Sequence, residues 1–261
     1  MPAAQTPRGS AAAKRHVRGV FHHLAEACTP HLMRRMRHEV REDVAWIRLR
    51  PSDTVLDLAC GPGLWAHELA PYARTVLALD LAEPMVRAAR VRARGNTRFT
   101  VGDCESLPFR DSSFTLVTVA YCLANFDSLQ NVLTEVRRVL DPGGRLAVID
   151  VVAPEDTNRQ SWLERLEQAR SGRMPTHIRT LPETRAALEA AGFHLLDCQI
   201  QERRRHLKDW LRLSATRPSS IPRLQTFFLQ AAHDAHACLH LRRQDRDWVF
   251  YHTVARWLWR T

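Results

Sequence analysis

The sequence has no closely spaced cysteine pair, almost no lysine and no long apolar run. Its six cysteines lie far apart and form no C-x-x-C pair, which excludes a zinc ribbon, a thioredoxin-type redox centre and a small disulfide scaffold. No apolar run approaches the ~20 residues that span a bilayer, and the N-terminus lacks the apolar core of a signal peptide. We therefore expect a reduced, soluble, cytoplasmic protein without a transmembrane segment.

The charge is basic, with a formal net charge of +10, and the excess sits at the two ends. Residues 1–50 carry +6 and residues 201–261 carry +7, whereas the middle of the chain carries −3. A basic face can attract nucleic acid or an anionic membrane surface. Because 36 of the 38 cationic side chains are arginine and no nucleic-acid module is present, the base composition of the gene is the simpler explanation, and a nucleic-acid partner is disfavoured.

The length of 261 residues and the 45% content of hydrophobic residues suit one large domain or two small ones. Residues 1–13 are typical of a disordered tail, and the apolar spacing over 14–50 predicts a helical arm or lid. Residues 51–261 form the main domain in this interpretation. Helical insertions are expected at about 154–180 and 206–241, where they would cover a substrate.

Within the main domain, short apolar runs alternate with helical patterns. Seven strands are predicted, at 54–59, 75–80, 97–101, 114–121, 145–152, 193–201 and 248–258. Helices are predicted between them, for example at 83–94 and 128–139. This alternation indicates βαβ units and a parallel sheet with both faces covered, which is an α/β fold.

A glycine-rich turn follows the first predicted strand. Gly61 and Gly63 stand where that strand passes into a helix, so that a ligand can lie against bare backbone at the helix N-terminus. Together with Ala66 they also match G-x-G-x-x-A, the fingerprint of nicotinamide dinucleotides. That match alone is weak evidence for a dinucleotide, so the ligand has to be inferred from the neighbouring residues.

Acidic residues mark the ends of three successive strands. Asp57 lies beside the glycine turn, where it repels a pyrophosphate but suits an ammonium group. Asp80 can accept hydrogen bonds from both ribose hydroxyls, and Asp103, after Gly102, can accept one from the amine of an adenine. Amine, ribose and adenine together describe S-adenosyl-L-methionine (SAM).

At this point the sequence resembles a known family, the class I SAM-dependent methyltransferases. The resemblance covers about residues 45–152, and its motifs occur in the family's order and spacing. They are the four stretches Val55–Gly63, Leu79–Met85, Gly102–Phe109 and Glu135–Gly144. The resemblance implies a Rossmann-like sheet of seven strands, mostly parallel, with the last strand antiparallel.

The resemblance also implies a role for each residue near the glycine turn. Gly61 and Gly63 would approach the methionine part of SAM, and Asp57 would lie near its amino group. Ala59, in the turn, and Tyr121, after the fourth strand, complete this side of the expected cofactor site.

On the nucleoside side, Asp80 would hold the ribose hydroxyls and Leu81 would lie beside it. Met85 would pack on the adenine, although core packing explains a methionine at this position nearly as well. Asp103 and Cys104 would meet the adenine edge.

Methyl transfer is an in-line displacement, which needs a base only where the acceptor must lose a proton. The candidates for a proton acceptor are His22, His23 and His177, because imidazole titrates near neutrality. Each is also compatible with an exposed histidine on a helix or loop. Tyr121 and Asn125 are further candidates for contact with the acceptor, and Tyr121 is included among the candidate catalytic residues.

The residues Val20–Ala25 resemble the arm of the ubiquinone/menaquinone-biosynthesis C-methyltransferase subgroup. The Tyr-Asp pair of that arm is replaced here by Cys28 and Thr29, and the segment 121–126 lacks the histidines frequent in relatives. The expected acceptor is therefore a small organic molecule of the natural-product, aromatic or quinone-precursor type. An RNA methyltransferase and a non-catalytic SAM-binding regulator remain alternatives, and the chain is expected to be a monomer or a homodimer.

Two further clusters have competing interpretations. His233, His236 and His240 share a helical face, but no carboxylate or cysteine completes a metal site, so no metal is expected. The run Arg203–Arg205 is either a solvated basic edge or an anchor for an acidic substrate.

Overall fold

A computed structural model of the chain describes residues 30–171, 177–213, 221–232, 240–244 and 247–261. The expected tail and the first part of the helical arm, with His22 and His23, lie outside the described residues. His233, His236 and parts of both expected insertions lie outside them as well. The described part of the chain contains no helix that is long and apolar enough to cross a membrane.

The described strands and helices alternate as the hydrophobic pattern predicts. The strands are β1 Thr54–Leu58, β2 Thr75–Asp80, β3 Thr97–Val101, β4 Phe114–Ala120, β5 Leu140–Val151, β6 His194–His206, β7 Arg242–Gln244 and β8 Asp247–Arg260. The α-helices are α1 Pro30–Ile47, α2 Leu64–Leu69, α3 Glu83–Arg90, α4 Leu129–Val139, α5 Thr157–Ser171, α6 Leu181–Ala190, α7 Leu207–Leu213 and α8 Ile221–Ala232.

These strands form one sheet in the order β3-β2-β1-β4-β5-β8-β6. Strands β1 to β5 pair in parallel, and β8 runs antiparallel to both β5 and β6. The predicted Rossmann-like fold with an antiparallel last strand is confirmed. The expected number of seven strands is wrong, because the short β7 pairs with β8 as an eighth. The strand order reverses between β1 and β4, and in such sheets ligands bind at the carboxyl ends of the strands near this point.

Both faces of the sheet are covered, which explains why the central strands β1, β2 and β4 are nearly continuous apolar runs. On one face α1, α2 and α3 bury residues such as Val44 and Leu69 against β1, β2 and β5. On the other face α4 and α6 bury residues such as Val136 and Leu188 against β4, β5 and β8.

A third apolar cluster lies beyond the carboxyl edge of the parallel strands. The last pair between β5 and β8 is Val151 with Val254, but β6 and β8 continue together to His206 and Val249. Against this extended ribbon pack α5, α7 and α8, which come from the two segments expected to be insertions. Their shared core includes five large aromatic side chains: Trp162, Trp210, Phe227, Phe228 and Phe250.

Candidate active site

The glycine turn adopts a backbone conformation that side chains disfavour. Gly61 and Gly63 have φ values of 52° and 81°, and Ala59 also has a positive φ, 52°. A Cβ on Gly63 would lie 2.9 Å from the Cβ of Ala89, so close packing of the turn on α3 requires glycine there. A Cβ on Gly61 would meet no atom of the described residues within 4 Å, which leaves open space beside the bare backbone.

Asp80 joins this turn to the end of β2. Its carboxylate accepts hydrogen bonds from the backbone N–H groups of Gly61 and Ala82, both at 2.8 Å. Burial raises the pKa of Asp80, and these backbone hydrogen bonds oppose the shift. Each oxygen accepts one of these bonds and retains capacity for a second, so the carboxylate can also receive the two hydroxyls of a ribose.

Asp57 is 1% exposed, and only one of its two carboxylate oxygens has a hydrogen-bond partner within the described residues. Its Oδ1 accepts a hydrogen bond from the Thr118 hydroxyl at 2.8 Å, whereas its Oδ2 has no hydrogen-bond partner within the described residues. Burial raises the pKa of Asp57 to about 7, against the opposing hydrogen bonds from Thr118 and the backbone of Ala66. A buried carboxylate oxygen without a partner is costly, and an ammonium group would satisfy it.

The nucleoside side of the site follows β2 and β3. The N–H of Gly102 donates to the backbone oxygen of Asp80 at 3.0 Å, which brings Asp103 next to the end of β2. Cys104 is buried, and burial raises the pKa of its thiol to about 12, so this side chain is uncharged at neutral pH. Leu81 is partly exposed at the same edge. Met85 is 1% exposed, as core packing requires, and its contact with adenine stays a prediction.

The loop after β4 is held by Asp150, at the end of β5. One oxygen of Asp150 accepts hydrogen bonds from the backbone N–H groups of Cys122 and Leu123, at 2.9 and 2.8 Å. Burial raises the pKa of Asp150 to about 6. Since β4 pairs directly with β1, this loop and the glycine turn leave the sheet side by side.

Tyr121 opens this loop with a φ of 56°. Its hydroxyl oxygen accepts a hydrogen bond from Arg203 of β6 at 2.5 Å. Burial raises the pKa of Tyr121 to about 12, although Arg203 opposes the shift. A phenol with this pKa keeps its proton at neutral pH, so Tyr121 can donate a hydrogen bond, and its role as a catalytic residue stays a prediction.

Arg203 itself is 5% exposed and forms a buried ion pair with Asp43 of α1. The interpretation of Arg203 as part of a solvated edge is therefore wrong. The expectation fails because β6 continues beside β8 and places this side chain beneath the arm helix. Arg204, the next residue, is exposed.

His177 lies near the start of α6, and its Nε2 is 3.1 Å from a carboxylate oxygen of Glu183. Glu183 also completes the capping box of α6 with Thr180. The N–H of Ala153 donates to Arg179 at 2.9 Å, so this segment is tied to the end of β5. His177 thus belongs to the carboxyl side of the sheet, but its role as a proton acceptor stays a prediction, as do the roles of His22 and His23. Asn125 follows in the loop after β4, where its N–H donates to Cys122 at 2.9 Å.

Sequence reasoning missed Asp150 and the partners of Arg203. Asp150 carried the same signal as Asp80, an acidic residue at the end of an apolar strand, but no motif assigned it a role. The pairing of Arg203 with Asp43 joins positions 160 residues apart and has no local signal.

The residues at this edge fit SAM. The open space at Gly61, the unpartnered oxygen of Asp57 and the carboxylate of Asp80 match its methionine chain, ammonium and ribose. Three buried carboxylates at the site, those of Asp57, Asp80 and Asp150, also favour a cofactor that carries positive charge.

Comparison with known proteins gives matches over most of the chain. A family model described as a methyltransferase domain matches residues 56–148. The uncharacterized methyltransferase YcgJ of Bacillus subtilis is 31% identical over 173 residues, which cover 64% of this chain and 67% of the relative. The crystal structure of YcgJ superposes with a TM-score of 0.77 at 24% identity, covering 86% of this chain and 98% of that one.

A second relative is the ubiquinone/menaquinone biosynthesis C-methyltransferase UbiE of Acidiphilium cryptum. It is 42% identical over 116 residues, which cover 42% of this chain and 47% of UbiE. The match therefore spans about half the length of that relative.

Proposed function

The chain belongs to the family of class I SAM-dependent methyltransferases, and from this premise we propose that it transfers the methyl group of SAM to a small organic acceptor. The observation that carries the proposal is the pair of buried carboxylates at the glycine turn. Asp57 has an oxygen without a partner, and Asp80 holds the turn while retaining capacity for two hydroxyls. This arrangement supports binding of an aminoacyl nucleoside rather than a pyrophosphate.

When bound, SAM supplies a methyl group that is already activated on a positive sulfur. The residues of the chain therefore have to bind, align and exclude water. Asp57 orients the amino end, Asp80 holds the ribose, and the bare backbone of Gly61 admits close approach. Tyr121 lies at the start of the neighbouring loop, where an acceptor can meet the methyl group, and Asp150 holds that loop in place.

Helices α5, α7 and α8 pack on the ribbon of β6 and β8 beyond the carboxyl edge, where they would cover a small organic acceptor. Their large rings form the core of this cover, with Trp210 and Phe250 at 5.3 Å between centroids. The name of the UbiE relative is consistent with a quinone precursor. Tyr121 and Asn125, in a loop without histidine, favour a hydrogen-bonded hydroxyl or carbonyl on the acceptor.

His177 is our candidate base for acceptors that must lose a proton. Its contact with Glu183 orients the imidazole, as a second group orients the base in other sites of proton transfer. His22 and His23 remain predicted alternatives. Tyr121 is a hydrogen-bond donor in this scheme.

The first test is calorimetric titration of the full chain with SAM. The chain is then incubated with labelled SAM and one of two acceptor pools, either mixed phenols and hydroquinones or total tRNA and rRNA. We expect SAM binding and a phenolic product about 14 Da heavier than its precursor. The matched control is Asp80→Asn, which keeps the shape of the side chain and removes its charge. Labelled RNA with steep salt dependence would make the chain an RNA methyltransferase, and SAM binding without any product would make it a regulator.

A further inference from the structure

A group of five charged side chains fills the space between the arm helix and the edge of the sheet next to Tyr121. We call it the buried arginine cluster: Glu39 and Asp43 of α1, Arg203 and Arg205 of β6, and Arg256 of β8. Asp43 is 0% exposed and Arg203 and Arg256 are 5% and 4% exposed, so three of these charges are nearly removed from water.

The cluster contains more positive than negative charge. Asp43 pairs with both Arg203 and Arg256, the latter at 2.6 Å, and Glu39 pairs with Arg205 at 2.7 Å and with Arg203 at 3.4 Å. Three guanidinium groups thus face two carboxylates. The Nη2 atom of Arg256 and the Oδ2 atom of Asp43 have no hydrogen-bond partner within the described residues. Buried charge is costly unless it is compensated, and the ion pairs of the cluster leave one guanidinium charge in excess.

Arg203 links this cluster to Tyr121. The guanidinium donates to the phenol oxygen at 2.5 Å, and its carbon lies 5.9 Å from the centre of the ring. Because the oxygen accepts from Arg203, the hydrogen of the phenol must point to another partner. The backbone N–H of Tyr121 donates to Ile149 at 2.8 Å, which holds the residue in its unfavourable φ of 56°.

We propose that Arg203 is a positioning residue that makes the Tyr121 hydroxyl a hydrogen-bond donor for an ionised oxygen of the acceptor. The acceptor class is then phenols and enols that react as their anions. The inference rests on the proposed function and deepens it. A neutral donor backed by a buried cation is the arrangement that stabilises oxyanions in other active sites.

The reaction balances without a further reactant. The acceptor loses its hydroxyl proton to water and binds as an anion. A bond then forms between the acceptor and the methyl carbon, while the sulfur–methyl bond breaks and its electron pair stays on sulfur. Methylation of oxygen ends at that point, and methylation of an ortho carbon ends with transfer of the ring proton to His177, the candidate base. Tyr121 keeps its own proton throughout.

The probe for this inference is 4-nitrophenol, whose ionised form absorbs visible light. The full chain saturated with S-adenosylhomocysteine is titrated with the probe across a pH series. The charged groups around the probe's site are Glu39 and Asp43 of α1, Arg203 and Arg205 of β6, Arg256 of β8, and the buried carboxylates Asp57, Asp80 and Asp150 at the strand ends. Because the Tyr121 hydroxyl, backed by Arg203, donates its hydrogen bond to the ionised form, we expect the bound probe to have a pKa lower by about one unit than the free probe.

The variants separate positioning from a structural role. Tyr121→Phe and Arg203→Met should each abolish most of this shift, and Arg203→Lys should restore part of it. Arg204→Met is the matched control, since it removes the same charge one residue away from an exposed side chain that bonds to Gln244. It should leave the shift unchanged.

An unshifted probe in the wild-type chain, or an equal loss in Arg204→Met, would overturn the inference. A lower melting temperature of Arg203→Met with an unchanged pKa of the probe would overturn it too, because Arg203 would then only fix the arm. The affinity for S-adenosylhomocysteine is measured in every variant. A wild-type chain that does not bind S-adenosylhomocysteine would refute the proposed function itself. A wild-type chain that binds S-adenosylhomocysteine but does not shift the pKa of the probe would refute this inference alone.

Discussion

The buried carboxylate of Asp57 predicts that the affinity for SAM depends steeply on pH. Its pKa is raised from 3.8 to about 7, so the folded chain without cofactor holds a proton there in mildly acidic solution. An ammonium partner requires the ionised form, and the α-amino group of the cofactor, with a pKa of about 7.7–8.0, stays mostly protonated below neutrality. Binding must therefore release the proton of Asp57.

The magnitude follows from the ionised fraction of Asp57. With a pKa of about 7, that fraction rises about fifteenfold between pH 5.5 and pH 7, and the dissociation constant of SAM should fall by the same factor. Calorimetry at pH 6 in two buffers of different ionisation enthalpy should detect the release of about 0.9 proton per site.

Asp57→Asn is the matched variant, because an asparagine oxygen can still accept the hydrogen bond from Thr118. Its affinity should be weaker, and its dependence on pH should be reduced to the contributions of Asp80 and Asp150, whose pKa values burial also raises. A wild-type dissociation constant that does not change with pH, or an undiminished slope in Asp57→Asn, would refute the reasoning.

The same raised pKa sets the sign of the effect on stability. The contribution of Asp57 to the free energy of unfolding is full below about pH 4 and is lost progressively as the pH rises towards about 7. In thermal melts without cofactor, the melting temperature of Asp57→Asn relative to that of the wild type should therefore rise between about pH 4 and pH 7. A difference that does not grow with pH would contradict the assignment of a buried, uncompensated carboxylate.

Three further variants test other parts of the site. Asp80→Ala should weaken SAM binding by about 2–4 kcal/mol in calorimetry, because two hydroxyl hydrogen bonds to a charged acceptor are lost; undiminished affinity contradicts the assignment. Asp150→Ala should lower the free energy of unfolding in urea by about 2–4 kcal/mol, since two buried N–H groups lose their acceptor; a change below about 0.5 kcal/mol speaks against it. His177→Ala should reduce turnover of a bound acceptor about a hundredfold where His177 is the base, and unchanged turnover removes it from the mechanism.

The elements nearest the cofactor site were the most predictable from sequence. Strands β2 and β3 have the predicted bounds, because β2 is a nearly continuous apolar run and β3 lies between Gly95 and Gly102. The glycine turn was equally accessible, since a backbone with φ of 81° that packs on Ala89 leaves glycine as the one residue type that fits.

The end of α3 shows why boundaries are harder. The apolar pattern predicts a helix to residue 94, but the helix ends at Arg90 and Val91 is 83% exposed. An apolar residue at helical spacing does not extend a helix when no neighbouring element covers it.

The acceptor side was the least predictable, because its key contacts are long-range. The residues Glu202–His206 look polar enough for an exposed loop, yet they continue β6 because β8 pairs with them. The burial of Arg203 depends on Asp43, which reaches it from the arm helix. No local pattern records a neutralising partner that comes from another part of the chain.

The glycine turn and the acidic strand ends together form the proposed site of an aminoacyl nucleoside. A crystal structure of the chain grown with S-adenosylhomocysteine, and with NAD in a parallel drop, tests this most directly. We predict that the amino group of S-adenosylhomocysteine bonds to the free oxygen of Asp57 and its ribose hydroxyls to Asp80. A turn that stays empty beside that ligand, or that holds NAD instead, would contradict the account.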